Sequence, residues 1–255
     1  MSNGRLIGVS LGPGDPQLMT LRSSAALNSD ARWAWPVRKK SADSYALSIA
    51  QAGGYAAPDD GLPLVFPMTH DTEILARYWL AAAETVLDTL RTGRDVAFLV
   101  EGDASTYSTF GYLARTMTAL APEIDIEVIP GVAAYHAASA RVGQSLADTD
   151  DTVAILPAAY GIDYLDTIID HFDTLVLLKV KPLLDDLIDW LQQRELLADA
   201  CFVEKAGSAV ERVVDDVASL QGQKVNYLSL LLVRNPQRQR GPIQKGCRKK
   251  HEPIA

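Results

Sequence analysis

The sequence predicts an α/β fold built around mainly parallel strands. Short apolar runs alternate with helical patterns along most of the 255 residues, as they do in chains that pair parallel strands through crossover helices. Two runs, over 6–11 and 227–233, are almost continuously apolar, which is typical of strands buried on both faces of a sheet. Glycine or acidic residues directly follow three of the runs. These turns are therefore expected at the carboxyl ends of strands, where open α/β sheets bind ligands.

The apolar runs define the predicted strands in chain order. They cover 6–11, 95–100, 126–129, 152–156, 174–179, 200–204 and 227–233. Trp33 and Trp35 alternate around Ala34, which is consistent with a further strand end. For these two rings, core packing is favoured over contact with a ligand.

Helical spacing predicts seven helices between these strands. They cover 16–28, 44–51, 71–91, 107–120, 132–142, 164–171 and 183–194. The clearest is 71–91, because Asp71 or Thr72 can cap its start and apolar residues recur along one face. Gly93 stands where a C-terminal cap belongs.

Three turns carry the functional signal. Gly12-Pro13-Gly14-Asp15-Pro16 follows the first strand, where the glycines allow a sharp turn and Asp15 can cap a helix that begins at Pro16. Glu101-Gly102-Asp103 and Pro130-Gly131-Val132-Ala133-Ala134 follow two later strands. Each turn alone is common, whereas the ordered set is far more restrictive.

Composition indicates an ordinary soluble protein. The chain is 48% hydrophobic and 22% charged, and its length suffices for a sizeable core in two modest domains. No run approaches the roughly 20 apolar residues of a membrane helix. The polar start is followed by too short an apolar run for a signal peptide. We therefore expect a cytoplasmic protein without a membrane partner.

The cysteines and histidines predict neither a disulfide framework nor a metal site. Cys201 and Cys247 lack metal-type spacing, and the four histidines form no ligand pair. Cys201 lies in an apolar run and is expected to be a small core residue.

The charge is unevenly distributed along the chain. Residues 234–255 contain seven Lys or Arg and one acidic residue, which gives this end a charge of +6. Because the whole chain carries −8, the first 233 residues carry −14. Residues 236–255 are expected to form a flexible basic tail. Since the body is acidic, nucleic acid is not an expected partner.

The three motifs, with their spacing and flanks, resemble the tetrapyrrole (corrin/porphyrin) methyltransferase family from Leu6 to about Val233. This family uses S-adenosylmethionine and acts on precorrins and uroporphyrinogen. The nearest resemblance is to members that methylate carbon 20 of precorrin-2, giving precorrin-3A on the route to cobalamin. The segments that carry this resemblance are 64–69, 96–103, 107–110 and 154–157.

The resemblance implies two α/β domains of the class III methyltransferase type, with the cofactor in the interdomain cleft. The domains are expected at 1–129 and 130–235, before the tail. A homodimer and a tetrapyrrole substrate are also implied.

Residues matching the family's cofactor positions are mostly small. Small residues admit adenosine and leave backbone groups available for hydrogen bonds. The implied positions are Pro13, Glu101, Gly102, Asp103, Thr106, Ala133, Ala134, Lys179, Ala206 and Ser229. For Lys179 the alternative is an ammonium group that simply extends from a strand end into water.

Methyl transfer from a sulfonium centre chiefly requires geometry, with no metal and no covalent enzyme intermediate. Carbon 20 must also lose a proton, and a nearby base would help. The candidates are Asp103, Glu101, Tyr107 and His136, with solvent as a further acceptor. Asp103 can instead stabilise its own turn, and a helical His is commonly a packing or surface residue. No base is assigned from the sequence.

Several alternatives stay open. The substrate can be cobalt-precorrin-2, although Glu101 in place of a small residue slightly favours the metal-free form. Ala104 replaces the family's usual Pro, which predicts a less rigid turn and leaves room for a non-catalytic S-adenosylmethionine sensor. A Rossmann-type oxidoreductase is disfavoured, because Gln17 stands where the third glycine of its fingerprint would fall.

Overall fold

The computed structural model describes residues 2–39 and 41–238, so Cys247 and most of the predicted basic tail lie outside the described residues. The chain divides into two compact units. Over the described residues, the first comprises 2–144 and 203–213, and the second comprises 145–202 and 214–238. Residues 130–144 therefore group with the first unit, and the domain boundary at 129–130 stays a prediction.

The first sheet is parallel throughout its paired strands. Its strand order is β3-β2-β4-β1-β5. The strands are β1 (Leu6–Ser10), β2 (Arg32–Val37), β3 (Leu62–Val65), β4 (Val96–Val100) and β5 (Ile126–Ile129). A dinucleotide-binding Rossmann sheet places its first strand beside its second, whereas β4 lies between β1 and β2 here. The topology thus also differs from the oxidoreductase alternative.

Five α-helices accompany this sheet. They are α1 (Leu21–Leu27), α2 (Tyr45–Ala52), α3 (Thr72–Leu90), α4 (Phe110–Leu120) and α5 (Ala134–Val142). The prediction for α3 is confirmed, and the Asp71 carboxylate accepts the N–H groups of Glu73 and Ile74 at 3.0 Å each. This cap satisfies two backbone donors that the helix itself cannot pair.

Two helix predictions are wrong at their starts. The single helix predicted over 16–28 is a 3-10 turn, Pro16–Leu18, followed by α1. The break occurs because Thr20 is extended and its hydroxyl caps α1 at the Ser23 N–H, 3.1 Å away. The helix predicted from 107 begins only at Phe110, since Tyr107 has a left-handed φ of 50°.

Both faces of the first sheet are covered, as its continuous apolar strands predict. Along β1, Leu6 packs into the core that includes α3 and α4, while Ile7 and Val9 pack into a second core with residues of α1 and α2. A Cβ at Gly8 would lie 2.7 Å from the Phe110 ring. Glycine is therefore required where α4 approaches β1. Trp33, only 3% exposed, is a core residue as predicted.

The second sheet is mixed, which corrects the expectation of mainly parallel pairing for this part of the chain. Its order is β6-β7-β10-β8-β9, with β6 parallel and β10 antiparallel to β7. The strands are β6 (Val153–Pro157), β7 (Thr174–Leu178), β8 (Ala200–Glu204), β9 (Arg212–Val214) and β10 (Ser229–Arg234). The prediction missed β9.

The core of the second unit packs around β7, β10 and two helices, α6 (Ile162–Ile168) and α7 (Leu184–Gln193). Trp190 is buried there, and its indole N–H donates to Asp166 at 2.5 Å. This bond and the Arg194 guanidinium lower the pKa of Asp166. Cys201 is buried as predicted, and burial raises the pKa of its thiol to about 12.

Among residues 2–39 and 41–238, no helix combines the length and the apolar character that crossing a bilayer requires.

Candidate active site

The first two motifs meet where β1 and β4 end. Gly12 and Gly102 form a two-residue bridge in which the Gly12 N–H donates to the Gly102 carbonyl at 3.2 Å and the Gly102 N–H donates to the Gly12 carbonyl at 2.7 Å. Both have a left-handed backbone, with φ of 77° and 72°, which glycine adopts without steric cost. The two turns are thereby joined at the carboxyl edge of the first sheet.

Ser10 connects this edge to β5. Its fully buried hydroxyl donates to the Ile129 carbonyl at 2.6 Å and accepts the Ala104 N–H at 2.8 Å. Proline has no N–H, so the family's usual residue at 104 could not make the second bond. Ala104 is itself buried and hydrogen-bonded, and the less rigid turn expected from the missing proline stays a prediction.

Asp103 links the second motif to the third. Its Oδ1 accepts the Gly131 N–H at 3.0 Å, and its Oδ2 accepts the hydroxyls of Thr106, at 2.8 Å, and of Ser105. Burial acts to raise the pKa of Asp103, but the hydrogen bonds from Ser105, Gly131 and Thr106 outweigh it and lower that pKa. These contacts favour the turn-stabilising role of Asp103 over that of a base.

Gly131 permits the close approach of the third motif. A Cβ at this position would lie 2.8 Å from the Gly102 carbonyl oxygen and would also clash with Ser10. Any larger residue would therefore push the third motif away from the other two.

The third motif leads into α5. Ala133 is the N-cap of this helix and provides no side-chain hydrogen bond to its first turn. Tyr135 is buried, which raises the pKa of its phenol, and the hydrogen bond to Thr106 opposes that shift. His136 is exposed, and its ring lies 4.4 Å from that of Tyr135, centroid to centroid.

The segment around Ala206 reaches the first motif. The Tyr45 hydroxyl donates to the Pro13 carbonyl at 3.1 Å, and a Cβ at Gly207 would lie 3.0 Å from the Pro13 ring. Ala206 is buried beside this contact. Tyr45 also hydrogen-bonds Ser208, while its burial raises the pKa of the phenol.

A small cavity lies beside Glu101, on the other side of the second motif. Its volume is about 90 Å³. Glu101 is exposed as a residue, whereas its carboxyl group lies among protein atoms: desolvation raises the pKa of Glu101, and the Arg38 guanidinium opposes the rise. Tyr107 is half exposed. The cavity is lined by Pro36, Phe98, Leu99, Val100, Glu101, Thr106, Tyr107, Ser108 and Thr109.

Two predicted cofactor residues lie in the second unit and contact each other. The Lys179 N–H donates to the Ser229 carbonyl at 3.2 Å. Lys179 is exposed and has a left-handed φ of 58°, which is uncommon for a residue other than glycine. Ser229 is buried, and its hydroxyl donates to the Asn226 carbonyl at 2.8 Å.

Within the first unit, the structure thus gathers most of the predicted site residues. They are Pro13, Glu101, Gly102, Asp103, Thr106, Ala133, Ala134 and Ala206. The sequence analysis missed Ser10 and Tyr45. A lone hydroxyl in an otherwise apolar strand was the available signal for Ser10, whereas nothing in the local pattern marks Tyr45.

Among the residues that the structure describes, no group of three His, Cys, Asp or Glu side chains lies close enough to hold a metal ion.

Comparison with known families matches residues 5–221 to the tetrapyrrole (corrin/porphyrin) methylases. The chain belongs to this family. The resemblance noted from the three motifs is thereby confirmed, and the matched region contains every predicted site residue except Ser229.

Two relatives illustrate the similarity. The chain is 33% identical to a Methanocaldococcus jannaschii protein named probable cobalt-precorrin-2 C(20)-methyltransferase, over 72% of this chain and 75% of that protein. It is 31% identical to a Sinorhizobium protein named precorrin-2 C(20)-methyltransferase, over 90% of this chain and 95% of that one.

The fold also matches a solved structure. The uroporphyrin-III C-methyltransferase of Thermus thermophilus, crystallised with S-adenosylhomocysteine, superposes with a TM-score of 0.64 at 20% identity, covering 91% of this chain and 92% of that one. The predicted fold class is confirmed: the chain is an α/β protein with two sheets.

Proposed function

We propose that this protein transfers a methyl group from S-adenosylmethionine to carbon 20 of precorrin-2, releasing precorrin-3A and S-adenosylhomocysteine. The observation that carries the proposal is family membership together with relatives named for methylation at this carbon. The meeting of all three motifs at one sheet edge supports it.

The residues at this edge fit the cofactor. A Cβ at Gly102 would meet no atom within 4 Å, so open space borders the backbone there. The first turn of α5 has no side-chain cap, which favours backbone N–H groups as donors to a ligand. Ala133 and Ala134 add only methyl groups. Pro13, Gly102, Asp103, Thr106 and the backbone of Glu101 complete the set that would hold it.

Bound S-adenosylmethionine supplies an already activated methyl group on a sulfonium centre. The chain's contribution is position. The Gly12–Gly102 bridge and the hydrogen bonds of Ser10 and Asp103 hold the loops in one arrangement. Fixing the reacting atoms about 3–3.5 Å apart can supply much of the rate enhancement.

Lys179, Ala206 and Ser229 remain proposed cofactor contacts. Lys179→Met tests the first of them, because the change removes the ammonium group and keeps a long apolar stem. We expect weaker binding of the cofactor or of the polycarboxylate substrate, measured by calorimetry. If both dissociation constants stay as in the wild type, Lys179 extends into water as other strand-end lysines do.

A second candidate substrate is cobalt-precorrin-2, which the name of the archaeal relative favours. The test incubates the protein anaerobically with methyl-labelled S-adenosylmethionine and freshly prepared precorrin-2, in parallel with the cobalt-loaded form. Mass spectrometry then detects the labelled methyl group. Labelling of the metal-free macrocycle supports the proposal, and labelling of the cobalt form alone selects the second candidate. Cofactor binding without transfer to either would indicate a sensor or another substrate.

We also propose that the protein is a cytoplasmic homodimer. The support is the family resemblance, together with the exposed aromatic side chains of Tyr78 and Tyr112 on α3 and α4. Light scattering coupled to size-exclusion chromatography tests the stoichiometry, and cell fractionation tests the location. A mass equal to a single chain would contradict the dimer.

A further inference from the structure

We propose that Glu101 is a catalytic residue that accepts the proton leaving carbon 20. The assignment rests on the proposed C-20 methylation and deepens it. The sequence left the base unassigned among Asp103, Glu101, Tyr107, His136 and solvent, and it also placed Glu101 among the implied cofactor contacts. The adjoining cavity distinguishes Glu101 from Asp103 and His136, and its place directly before the bridging Gly102 distinguishes it from Tyr107, which lines the same cavity.

Glu101 occupies the point where the site's edge and the cavity meet. It directly follows β4 and precedes Gly102, whose backbone bridges to the first motif and borders open space. Glu101 also lines the cavity of about 90 Å³. Glu101 therefore lies next to the proposed methyl-transfer site along the chain and also lines a separate small space.

The neighbouring carboxylate, that of Asp103, already holds the turn through hydrogen bonds. Both oxygens of Asp103 accept hydrogen bonds, from the Gly131 N–H and from the hydroxyls of Ser105 and Thr106. Protonating Asp103 would weaken the bonds that join two motifs. The Gly12–Gly102 bridge and the hydrogen bonds of Ser10 and Asp103 join the loops, so a change in the protonation of Glu101 leaves those contacts in place.

The cavity supplies a route for the proton to leave. A volume of about 90 Å³ accommodates several water molecules, and part of its lining is polar. The hydroxyl-bearing residues Thr106, Ser108 and Thr109 line it together with Glu101. A proton taken up by Glu101 can therefore pass to water without crossing the cofactor side of the second motif.

The reaction begins at the macrocycle. An electron pair of the macrocycle's π system forms the new bond from carbon 20 to the methyl carbon, and the methyl–sulfur bond breaks with its pair going to sulfur. The C20–H bond then breaks, its electron pair returns to the macrocycle, and the proton moves to the Glu101 carboxylate. Water in the cavity takes that proton and regenerates the carboxylate.

The electrostatic surroundings suit this role. Among the described residues, the charged and titratable groups near Glu101 are Arg38 after β2, Tyr45 on α2 and Tyr107 in its own loop. Burial raises the pKa of Glu101 against the opposing effect of Arg38. A carboxylate with a raised pKa is a stronger base than an ordinary one, which improves general-base catalysis near neutral pH.

The test compares wild type, Glu101→Gln, Glu101→Asp and the control Glu84→Gln, which removes an exposed carboxylate on α3. Each full-length protein receives methyl-labelled S-adenosylmethionine and precorrin-2 with hydrogen or deuterium at carbon 20. For Glu101→Gln we expect kcat to fall about 10²-fold, with the cofactor Kd within about twofold of wild type and a larger deuterium effect. Glu101→Asp should retain intermediate activity and the wild-type pH profile, and Glu84→Gln should match wild type.

The pH profile is the readout that a structural role would not change. Wild-type kcat should decline at low pH with a single ionisation, and this ionisation should vanish in Glu101→Gln. A Glu101→Gln variant with wild-type kcat would overturn the assignment, and a raised cofactor Kd at unchanged kcat would make Glu101 a cofactor contact only. Absence of transfer by the wild type on either macrocycle would overturn the proposed function and this assignment together.

Discussion

The two sides of the loop after β4 differ in what their acidic residues do. On the side of β5 and α5, Asp103 accepts three hydrogen bonds, and its pKa is lowered. On the side of β2, Glu101 adjoins a cavity with Arg38 nearby, and its pKa is raised. Two residues apart, one carboxylate is stabilised in its charged form and the other is not.

Within one short motif, Asp103 therefore has a structural role, and Glu101 has the chemical role proposed above. Donors directed at a carboxylate favour its charged form, whereas desolvation without such donors favours the neutral form. The tightly hydrogen-bonded side keeps the three motifs together. The other side retains a group whose protonation can change during a reaction. Substitutions of Asp103 and Glu101 should therefore change the pH dependence of stability in opposite directions.

The largest effect is expected at the packing point of the hydrogen-bonded side. Gly131→Ala places a Cβ against Ser10 and the Gly102 carbonyl, and overpacking of this kind costs about 3 kcal/mol. Urea unfolding measures the loss. The matched control is Gly111→Ala in α4, where a Cβ would meet only the Arg115 side chain at 3.6 Å. That control should be neutral or slightly stabilising, and equal costs at both sites would contradict the packing argument.

Ser10→Ala should have the next largest effect. It leaves the Ile129 carbonyl and the Ala104 N–H without their buried partner, at a cost of about 2 kcal/mol. Ser48→Ala in α2 removes an exposed hydroxyl that bonds only its own helix and should cost far less. If Ser10→Ala unfolds at the wild-type urea concentration, Ser10 does not hold these strands together.

Asp103→Asn should cost about 1.5 kcal/mol near neutral pH, since hydrogen bonds to a charged acceptor are lost. The pKa of Asp103 is lowered in the folded protein, so its stabilisation is complete above the unfolded pKa of about 4. The stabilisation disappears as pH falls through the folded value. The difference in unfolding free energy between wild type and variant should therefore shrink below about pH 4. A constant difference would contradict the lowered pKa.

Glu101→Gln should have the smallest effect on stability and the opposite sign. The pKa of Glu101 is raised on folding, so wild-type stability declines as pH rises from about 4 through the folded value. Above that range the variant should be slightly the more stable of the two, and the margin is small because Glu101 is exposed and solvent screens its charge. Unfolding midpoints measured from pH 4 to pH 8 test the sign, and a variant less stable than wild type at pH 8 would remove the contrast between the two sides.

Much of this arrangement is predictable from local sequence. Continuous apolar runs predict buried strands, and the run at 126–129 coincides with β5. Asp71 and the spacing of apolar residues locate α3 to within a residue at each end. The ordered motifs predict which turns lie at one sheet edge, because they follow strands that pair in parallel.

Other features depend on long-range pairing that local patterns do not encode. An apolar run is compatible with either strand direction, so the antiparallel pairing of β10 with β7 leaves no trace in its composition. Ser10 and its partners at 104 and 129 are about a hundred residues apart. Tyr45 reaches Pro13 across 32 positions. The opposite behaviour of Glu101 and Asp103 likewise follows from neighbours that only the fold supplies.

The amide proton of Ala104 can be followed by hydrogen exchange. A relative with proline at this position has no such proton, whereas here it is buried and bonded to Ser10. Its exchange with deuterated solvent requires the second motif to separate from β1. This chain therefore carries an internal reporter of loop opening, readable by NMR at a single site. Slower exchange in the presence of S-adenosylhomocysteine would measure how strongly a ligand at the sheet edge holds the loops closed.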